Sequence, residues 1–379
     1  MEHIIYLDNS ATTKPCPTAI KYINSALEDN WGNPSSLHTL GVNAEISVTK
    51  ARETLAQKIG ARADEIIFTG SGTEANNTAI MSALAKKNTG NRIITSNIEH
   101  PSVLNTVKRL EDMGFEVIKL GCDAKGEISL GELERSLNDK TVLVSLMLVN
   151  NEVGTLQPIK EAVDLTRRLS PRALFHCDAV QGFGKIPIRV KDLGIDLLSA
   201  SAHKIHGPKG IGFLFCKKGV NIAPFITGGG QERGRRSGTE SVPLIAGFMG
   251  AAEELGDIDL NYRKVAEVNA YAREIFKNSG FIEINSPEDA LPYILNISVL
   301  GYRSETLLHF LEARNIFVSS GSACAKGEAS YVLSALGLSK KYSDSALRLS
   351  FSKTTTKEDL RSTLEALKLA VSKLRPSKI

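Results

Sequence analysis

The sequence predicts an α/β protein with a large domain on a mixed, mostly parallel sheet flanked by helices, plus a smaller α+β domain. Between residues 65 and 215, short apolar runs alternate with amphipathic stretches. This alternation is typical of a parallel sheet that is covered by helices on both faces. After residue 246 the pattern changes to long helical stretches and to segments in which apolar and polar residues alternate. The second pattern predicts the smaller domain.

The elements of the large domain follow from these patterns in chain order. Apolar runs predict strands at residues 66–68, 92–94, 117–120, 142–149 and 174–177. Amphipathic stretches predict helices at residues 74–86, 101–113, 130–137 and 159–169. The second of these helices, for example, has Val103, Val107 and Leu110 on one face.

The C-terminal part contains fewer recognisable elements. Its predicted helices span residues 260–276 and 357–374, and its predicted strands span 294–299 and 347–351. We place the large domain at residues 15–255. The small domain takes residues 1–14 together with residues 256–379.

The composition is ordinary for a soluble globular protein and argues against several classes of function. Of the 379 residues, 42% are hydrophobic and 23% are charged, with a formal net charge of +4. The basic residues are scattered, which argues against direct binding of nucleic acid. No stretch has the pattern of a signal peptide or a transmembrane helix, so a cytoplasmic protein without membrane contact is expected. The five cysteines are dispersed, which favours reduced thiols.

Three segments carry chemical signals, and the first is Phe-Thr-Gly-Ser-Gly-Thr-Glu-Ala-Asn-Asn at residues 68–77. A strand ends there in small residues and a helix begins. Backbone N–H groups in such a turn can converge on an anion at the positive end of the helix dipole. The alternative is an ordinary glycine turn with a Ser or Thr cap.

The second and third signals are an acid and a lysine. Asp178 follows an apolar strand, where a carboxylate is costly to bury unless it meets a cation or strong donors; capping the next helix is the alternative. Lys204 lies between small residues and the turn at Gly207, surroundings that suit a Schiff-base amine. The spacing of His203 and His206 could suggest a metal, but no acidic or thiol third ligand lies near, so no metal is predicted.

In this order, the three signals fit a single cofactor, pyridoxal 5'-phosphate: a phosphate site, an acid for its ring nitrogen and a lysine for its aldehyde. The chain here resembles the fold-type I pyridoxal-phosphate enzymes of the class V aminotransferase group, and more narrowly the NifS/IscS-like group I cysteine desulfurases. The resemblance runs from residues 6–13 to residues 345–348. Between them, the matching motifs include Gly-Asn-Pro-Ser-Ser-Leu-His at 32–38, Glu-His at 99–100, Val-Asn-Asn-Glu-Val-Gly at 149–154 and Arg-Arg-Ser-Gly-Thr at 235–239.

The resemblance implies a role for each matching residue. Lys204 would carry the cofactor and move the substrate's α proton, Asp178 would pair with the ring nitrogen, and His100 would stack on the ring and assist proton transfer. Gln181 and Asn151 would bond the phenolic oxygen of the ring or its neighbourhood. Residues implied at the phosphate are Gly72, Thr73, Ser201, His203 and, from the second subunit of a homodimer with a shared active site, Thr239. Residues implied at the substrate are Asn33, Asn151 and Arg348.

Cys324 is the residue that distinguishes a cysteine desulfurase from the other enzymes of the family. It lies in Ser-Ser-Gly-Ser-Ala-Cys at residues 319–324, beside Lys326, whose charge favours the nucleophilic thiolate. The motif resembles the nucleophile loop of group I cysteine desulfurases and implies transfer of sulfur from L-cysteine to Cys324. The implied acceptor is an iron–sulfur scaffold or a thiolation enzyme. Only five residues separate Cys324 from residues 330–333, a slightly shorter loop than in several group I members.

Other functions remain as alternatives at this point. A selenocysteine lyase or an aminotransferase of the same family shares the lysine and the acid, but the selenocysteine-lyase pattern Arg-x-Gly-His-His-Cys is absent and ordinary transamination requires no thiol at this position. A non-catalytic sulfur-relay scaffold would have no need of Lys204 or Asp178. A nucleic-acid-binding module would need a basic stripe, which the sequence lacks.

Replacing Cys324 by Ala tests the implied sulfur transfer. The lysine and the acid remain in Cys324→Ala, so the cofactor and L-cysteine should still bind, while alanine release nearly stops and no protein persulfide forms. Mass spectrometry of the unsubstituted protein after cysteine addition should place an adduct of about 32 daltons on the Cys324 peptide. Cys122→Ala is the control and should remain active. An adduct on any other cysteine would contradict the assignment.

Overall fold

Strands alternate with helices along most of the chain. The computed structural model of the protein describes residues 4–320 and 330–376. In chain order the strands are β1 (Ile5–Tyr6), β2 (Ile66–Thr69), β3 (Arg92–Ser96), β4 (Glu116–Leu120), β5 (Thr141–Met147), β6 (Leu174–Asp178), β7 (Leu197–Ser201), β8 (Gly212–Cys216), β9 (Ile282–Ile284), β10 (Ile294–Val299), β11 (Ile316–Phe317), β12 (Ser319–Ser320) and β13 (Ala346–Ser350). The helices are α1 (Pro17–Asp29), α2 (Thr39–Lys58), α3 (Gly72–Met81), α4 (Pro101–Asp112), α5 (Leu130–Ser136), α6 (Ile159–Leu169), α7 (Val190–Leu193), α8 (Val242–Glu254), α9 (Ile258–Lys277), α10 (Ser304–Glu312), α11 (Tyr331–Ala335), α12 (Lys340–Ser343) and α13 (Lys357–Lys373).

The central sheet contains β2 to β8 in the order β2-β8-β7-β6-β5-β3-β4. Its strands run parallel from β7 through β4, whereas β8 is antiparallel to both of its neighbours. Every residue of β5, β6, β7 and β8 is buried. Helices cover both faces of such strands, which is why most of their residues are apolar. The predicted mixed, mostly parallel sheet is confirmed.

Several elements differ from the sequence prediction. The predicted helix at 74–86 divides into α3 and a short 3₁₀ turn, Ser82–Lys86, and the predicted strand at 142–149 ends at Met147. Helices α1, α2 and α8 and strand β8 were not predicted. Helix α8 packs against both α1 and α2 and is buried on most sides, so it lacks the amphipathic period that reveals a surface helix. None of the described helices is long and apolar enough to cross a membrane.

A second, antiparallel sheet forms in the C-terminal part, in the order β12-β13-β10-β9. Helices α9 and α13 pack against each other beside it. The short strand β1 pairs in parallel with β11, with Ile5 opposite Ile316, so the N-terminal residues lie next to the C-terminal part. The division into domains at residue 255 stays a prediction.

Two ion pairs connect the segment that follows β8 to helices α2 and α3. Arg52 of α2 makes two hydrogen bonds of 2.7 Å to the carboxylate of Glu232, which also accepts the backbone N–H of Phe68 at 3.1 Å. Arg236 pairs with Glu74 of α3 at 2.8 Å. The carboxylate of Glu232 is buried, so losing Arg52 would leave an uncompensated charge. These contacts hold residues 231–239 against β2 and α3.

Candidate active site

One cavity of about 420 Å³ lies at the carboxyl ends of the central strands. Met147, Asp178 and Ser201, the last residues of β5, β6 and β7, all line it. Ligands of open α/β sheets bind at this edge. The cavity brings together ten of the residues predicted from the sequence: Gly72, Thr73, His100, Asn151, Asp178, Gln181, Ser201, His203, Lys204 and Arg348.

The first turn of α3 forms one wall of the cavity. Ser71 caps this helix by accepting the N–H of Glu74 at 3.1 Å, so the helix proper begins at Gly72. The first N–H groups of a helix have no acceptor within it, and the dipole makes this end attractive to anions. A Cβ atom on Gly72 would approach the side chain of Val180 to 2.8 Å, so the close packing here requires glycine.

Asp178 lies buried at the end of β6, and both carboxylate oxygens accept hydrogen bonds. One oxygen accepts the N–H of Val180 at 3.0 Å, and the other accepts the side-chain amide of Asn76 at 2.7 Å. Asn76 also donates to Ser102 Oγ at 2.9 Å. The sequence analysis did not identify Asn76 as a site residue, although it lies within the motif at residues 68–77. The acid is therefore held by a residue of the same helix whose N-terminus faces the cavity.

His100 stands across the cavity as the cap of α4. Its Nδ1 atom accepts the backbone N–H of Ser102 at 3.1 Å, so the hydrogen of the neutral ring is on Nε2. Burial lowers the pKa of His100, and the charge of Lys204 lowers it further, against an opposing effect of Asp178. A neutral imidazole with Nε2–H is the resulting form.

Lys204 ends a short 3₁₀ turn, Ala202–Lys204, directly after β7. Its ammonium group donates to the carbonyl oxygens of Ser10 and Ala11, from the N-terminal part of the chain. His203 contacts Thr12 through Nδ1 at 3.2 Å, and burial lowers the pKa of His203 to about 4. His206 turns away from the cavity and donates from Nδ1 to the carbonyl oxygen of Lys14 at 3.0 Å.

Five polar atoms around the cavity are buried and have no hydrogen-bond partner within residues 4–320 and 330–376. They are Ser10 Oγ, Asn76 Oδ1, Asn151 Oδ1, Ser201 Oγ and Arg348 Nε. All five residues line the same cavity. Buried polar atoms are normally satisfied, because an unmade hydrogen bond costs about 1–3 kcal/mol. A cavity surrounded by unused donors and acceptors fits a polar ligand that supplies the missing bonds.

Arg348 occupies the other end of the cavity, on β13. Its two terminal amino groups donate to the carbonyl oxygen of Asn151 and to the carboxylate of Asp8, each at 3.0 Å. Glu152 lies nearby and accepts the hydroxyl of Ser330. Burial raises the pKa of Glu152 to about 7, against opposing effects of Ser330 and Arg348. Glu152 is a second cavity residue that the sequence analysis did not identify, although it stands in the motif at 149–154.

Three predicted site residues are not among those that line the cavity. Asn33 is exposed, and its side-chain oxygen accepts the N–H of Ser35 at 2.9 Å in a local turn. Thr239 is also exposed, at the end of the segment that Arg52 and Arg236 fasten. Cys324 lies outside the described residues. The roles of Asn33, Thr239 and Cys324 therefore stay predictions.

The fold and the cavity define an α/β enzyme whose site lies at the carboxyl edge of its sheet. The sequence profile of the aminotransferase class-V family matches residues 5–362. The chain belongs to that family. It is 41% identical to the cysteine desulfurase IscS of Dictyoglomus turgidum, over 99% of this chain and 96% of that protein.

Two solved structures are similar along nearly the whole chain. One is a NifS-like protein, 36% identical with a TM-score of 0.93, over 98% of this chain and all of that one. The other is SspA in complex with cysteine, 34% identical with a TM-score of 0.83, over 93% of this chain and all of that one. The similarity extends over both sheets, as the predicted resemblance requires.

Glu152→Gln tests the electrostatics of the cavity without any ligand. The folded protein holds the Glu152 proton to higher pH than the unfolded chain does, so this favourable contribution is complete below pH 4.5 and is lost as the pH rises through 7. The amide of the substituted side chain does not titrate. The free energy of unfolding of the variant, relative to the unsubstituted protein, should therefore rise between pH 4.5 and 7, by at most about 1.4 kcal/mol per pH unit.

Urea unfolding of the cofactor-free protein at about pH 5 and about pH 7 measures this difference. The same change at Glu365, an exposed residue of α13, is the control and should leave the pH profile unchanged. Parallel pH profiles for Glu152→Gln and the unsubstituted protein would contradict the raised pKa.

Proposed function

We propose that this protein is a pyridoxal-phosphate-dependent cysteine desulfurase, which converts L-cysteine to L-alanine and passes the sulfur to Cys324 as a persulfide. One observation carries the proposal: Lys204, Asp178 and the first turn of α3 come from separate parts of the chain and line one cavity. A lysine, an acid and an anion site are what the aldehyde, ring nitrogen and phosphate of this cofactor require.

The residues of the cavity fit that cofactor. The first N–H groups of α3, with the side chains of Thr73, Ser201 and His203, would hold the phosphate. The hydroxyl oxygen of Ser201 has no hydrogen-bond partner among the residues that the structure describes, which supports this placement. Asp178 would hold the ring nitrogen. When bound, pyridoxal phosphate supplies an electron sink that stabilises negative charge on the α carbon of the substrate.

Two side chains, Lys204 and His100, would transfer protons during the reaction. Lys204 would take the proton from the substrate's α carbon, since its amine emerges at the cavity directly after β7. His100 would lie against the cofactor ring and assist this transfer. The hydrogen bond from the N–H of Ser102 leaves Nε2 of His100 as the proton-bearing atom.

The substrate's carboxylate is assigned to Arg348. Arg348 is the guanidinium group that lines the cavity, and its Nε atom has no partner in the described part of the chain. A guanidinium binds a carboxylate through directed N–H groups, which orients an amino acid as well as attracting it. Asn151, on the same wall, offers an unused side-chain oxygen to the polar part of the substrate.

The sulfur acceptor within the protein is assigned to Cys324. Ser320 and Tyr331, on either side of the interval that contains it, both line the cavity. The thiolate of Cys324 would attack the sulfur of L-cysteine: the carbon–sulfur bond breaks, a sulfur–sulfur bond forms, and reprotonation of the carbon leaves L-alanine. L-cysteine and one protein thiol thus give L-alanine and one protein persulfide, with atoms and electrons in balance.

The remaining cysteines are poor candidates for this step. Burial raises the pKa of Cys16, Cys122 and Cys177, and it raises the pKa of Cys216 to about 11. These groups stay in the thiol form near neutral pH, whereas the thiolate is the nucleophile. The four described thiols are therefore disfavoured as the nucleophile.

The relatives support the same activity. The IscS protein of Dictyoglomus turgidum is named a cysteine desulfurase, and the SspA structure contains cysteine. A selenocysteine lyase or an aminotransferase of the family is the alternative. We assign the protein to the cytoplasm, where an iron–sulfur scaffold or a thiolation enzyme would receive the sulfur.

The products distinguish these activities. Purified protein with pyridoxal phosphate and L-cysteine should release one L-alanine for each sulfur transferred, whereas an aminotransferase would release a 2-oxo acid. Lys204→Ala should lower turnover by about 10³-fold or more. Lys209→Ala, at an exposed lysine nearby, is the control and should keep normal turnover. A borohydride-reducible bond between the cofactor and Lys204→Ala would show that another lysine carries the cofactor.

The proposal includes a homodimer with a shared active site. Between residues 31 and 46, five large apolar side chains are exposed, and Leu37 is 98% exposed. The others are Trp31, Leu40, Val42 and Ile46. Exposed apolar side chains that lie close together along a chain favour an interface.

Residues 239 and 240 give a second argument for the dimer. Thr239 is exposed, and the adjacent Glu240 has a buried oxygen with no partner in residues 4–320 and 330–376. In the proposed dimer, the second subunit would contact residues 31–46 and also Thr239 and Glu240.

Light scattering of the purified protein tests the dimer. The molar mass should be about twice 41.0 kDa. Leu37→Asp places a charge in the proposed interface and should shift the mass toward that of one chain. Met113→Asp, at an exposed apolar residue outside residues 31–46, is the control and should leave the mass unchanged. A single-chain mass for the unsubstituted protein at micromolar concentration would contradict the shared site.

A further inference from the structure

Lys185 is a buried lysine for which the proposed chemistry has no role. It is 5% exposed, and no carboxylate pairs with it among residues 4–320 and 330–376. Its ammonium group donates to Gln181 Oε1 at 2.9 Å and lies 5.8 Å from the centre of the Tyr293 ring. Burial, together with the charges of Lys204 and Arg348, lowers the pKa of Lys185 to about 7. A buried amine in such surroundings is costly to keep.

The contact with Lys185 settles the orientation of the Gln181 amide. Oε1 accepts from Lys185, and Nε2 donates to the carbonyl oxygen of Ser10 at 2.9 Å. The reversed amide would place Oε1 against the carbonyl oxygen of Ser10, which loses that bond, and Nε2 against Lys185, which loses the second bond whenever Lys185 is an ammonium group. Nε2 has a second hydrogen, and Gln181 lines the large cavity. The side chain therefore offers an N–H group to that cavity.

We propose that Lys185 is a positioning residue, which fixes the side-chain amide of Gln181 as a hydrogen-bond donor toward the cofactor cavity. The inference rests on the proposed function, because the phenolic oxygen of pyridoxal phosphate is the acceptor that this donor would serve. The carbonyl oxygen of Ser10 accepts from both Gln181 and Lys204. Lys185 is thus connected to the reactive lysine through one amide and one carbonyl group.

The other charged groups near Lys185 face a small cavity of about 40 Å³ behind Lys204. Glu254, His206 and Lys353 line it together with both lysines. Keeping an amine buried without a carboxylate partner costs desolvation free energy, which an apolar residue of similar size does not pay. Lys185→Met should therefore be tolerated by the fold if Lys185 serves the site, and should destabilise the fold if Lys185 serves stability.

Thermal unfolding separates these two roles. The melting temperature of Lys185→Met, measured on the full chain without pyridoxal phosphate, should equal or exceed that of the unsubstituted protein, because the lost donor would weaken only the stabilisation that the bound cofactor adds. Lys191→Met, at an exposed lysine of α7, controls for the loss of one positive charge. A melting temperature clearly below both references would assign Lys185 to stability and overturn the inference.

Turnover then tests the connection through Gln181. Lys185→Met should lower the rate of alanine release by about 10- to 100-fold, the effect of one hydrogen bond to a charged group. Lys185→Arg keeps a cationic donor and should restore part of the loss. The double variant Lys185→Met/Gln181→Leu should be no slower than Gln181→Leu, since the two changes remove one donor. Losses that multiply, or turnover of Lys185→Met within about twofold of normal, would overturn the inference.

The visible absorbance of the bound cofactor provides a readout that is independent of turnover. Losing the donor leaves more negative charge on the phenolic oxygen, so the pH midpoint of this absorbance should rise in Lys185→Met and in Gln181→Leu, by about one pH unit. It should not change in Lys191→Met. An unshifted midpoint in Lys185→Met would overturn the inference. If instead the unsubstituted protein releases no alanine, the proposed function fails, while the melting temperatures and midpoints still report on Lys185.

Discussion

The hydrogen bond between Asp178 and Asn76 is the contact on which the site depends. A carboxylate that ends a buried strand needs donors, and Asn76 supplies one from the second turn of α3. Satisfying the acid therefore also sets the distance of α3 from β6. The N-terminus of the same helix then faces the cavity. Through Ser102, the amide of Asn76 further connects to the cap of α4, which carries His100. The contacts of buried Asp178 thus fix the positions of β6, α3 and α4 around the cavity.

The sequence was sufficient to predict the features that depend on local residue patterns. Asp178 follows an apolar run and Lys204 lies among small residues before a glycine turn, so both could be found without coordinates, whereas Ser201 came only from the family resemblance. Helix α8 could not be found, because helices cover it and leave no amphipathic period. Asn76 and Lys185 were missed for another reason. Their importance comes from single contacts. Asn76 meets Asp178, which is distant in sequence, and Lys185 meets Gln181 across the turn at residues 180–185, a contact that the spacing alone does not reveal.

The cavity combines features that each reduce the stability of the protein without a ligand. Five buried polar atoms have no partner in the described residues, and desolvation raises the pKa of buried Glu152 to about 7. A chain selected for stability alone would fill such a site with apolar side chains. Binding a ligand that satisfies these atoms stabilises the folded state by mass action. The cavity therefore contains polar groups whose burial is unfavourable until a ligand forms hydrogen bonds with them.

The burial of Cys16, Cys177 and Cys216 has a consequence for the fidelity of sulfur handling. A persulfide exchanges its outer sulfur with any accessible thiolate, and the rate depends on how much thiolate is present and on access. Burial removes both conditions at these positions, since the groups stay protonated and covered. A persulfide formed in the proposed reaction is thereby kept from exchanging its sulfur with these three thiols. Oxidants and alkylating reagents are likewise kept from these three side chains, so the folded protein limits its own thiol damage.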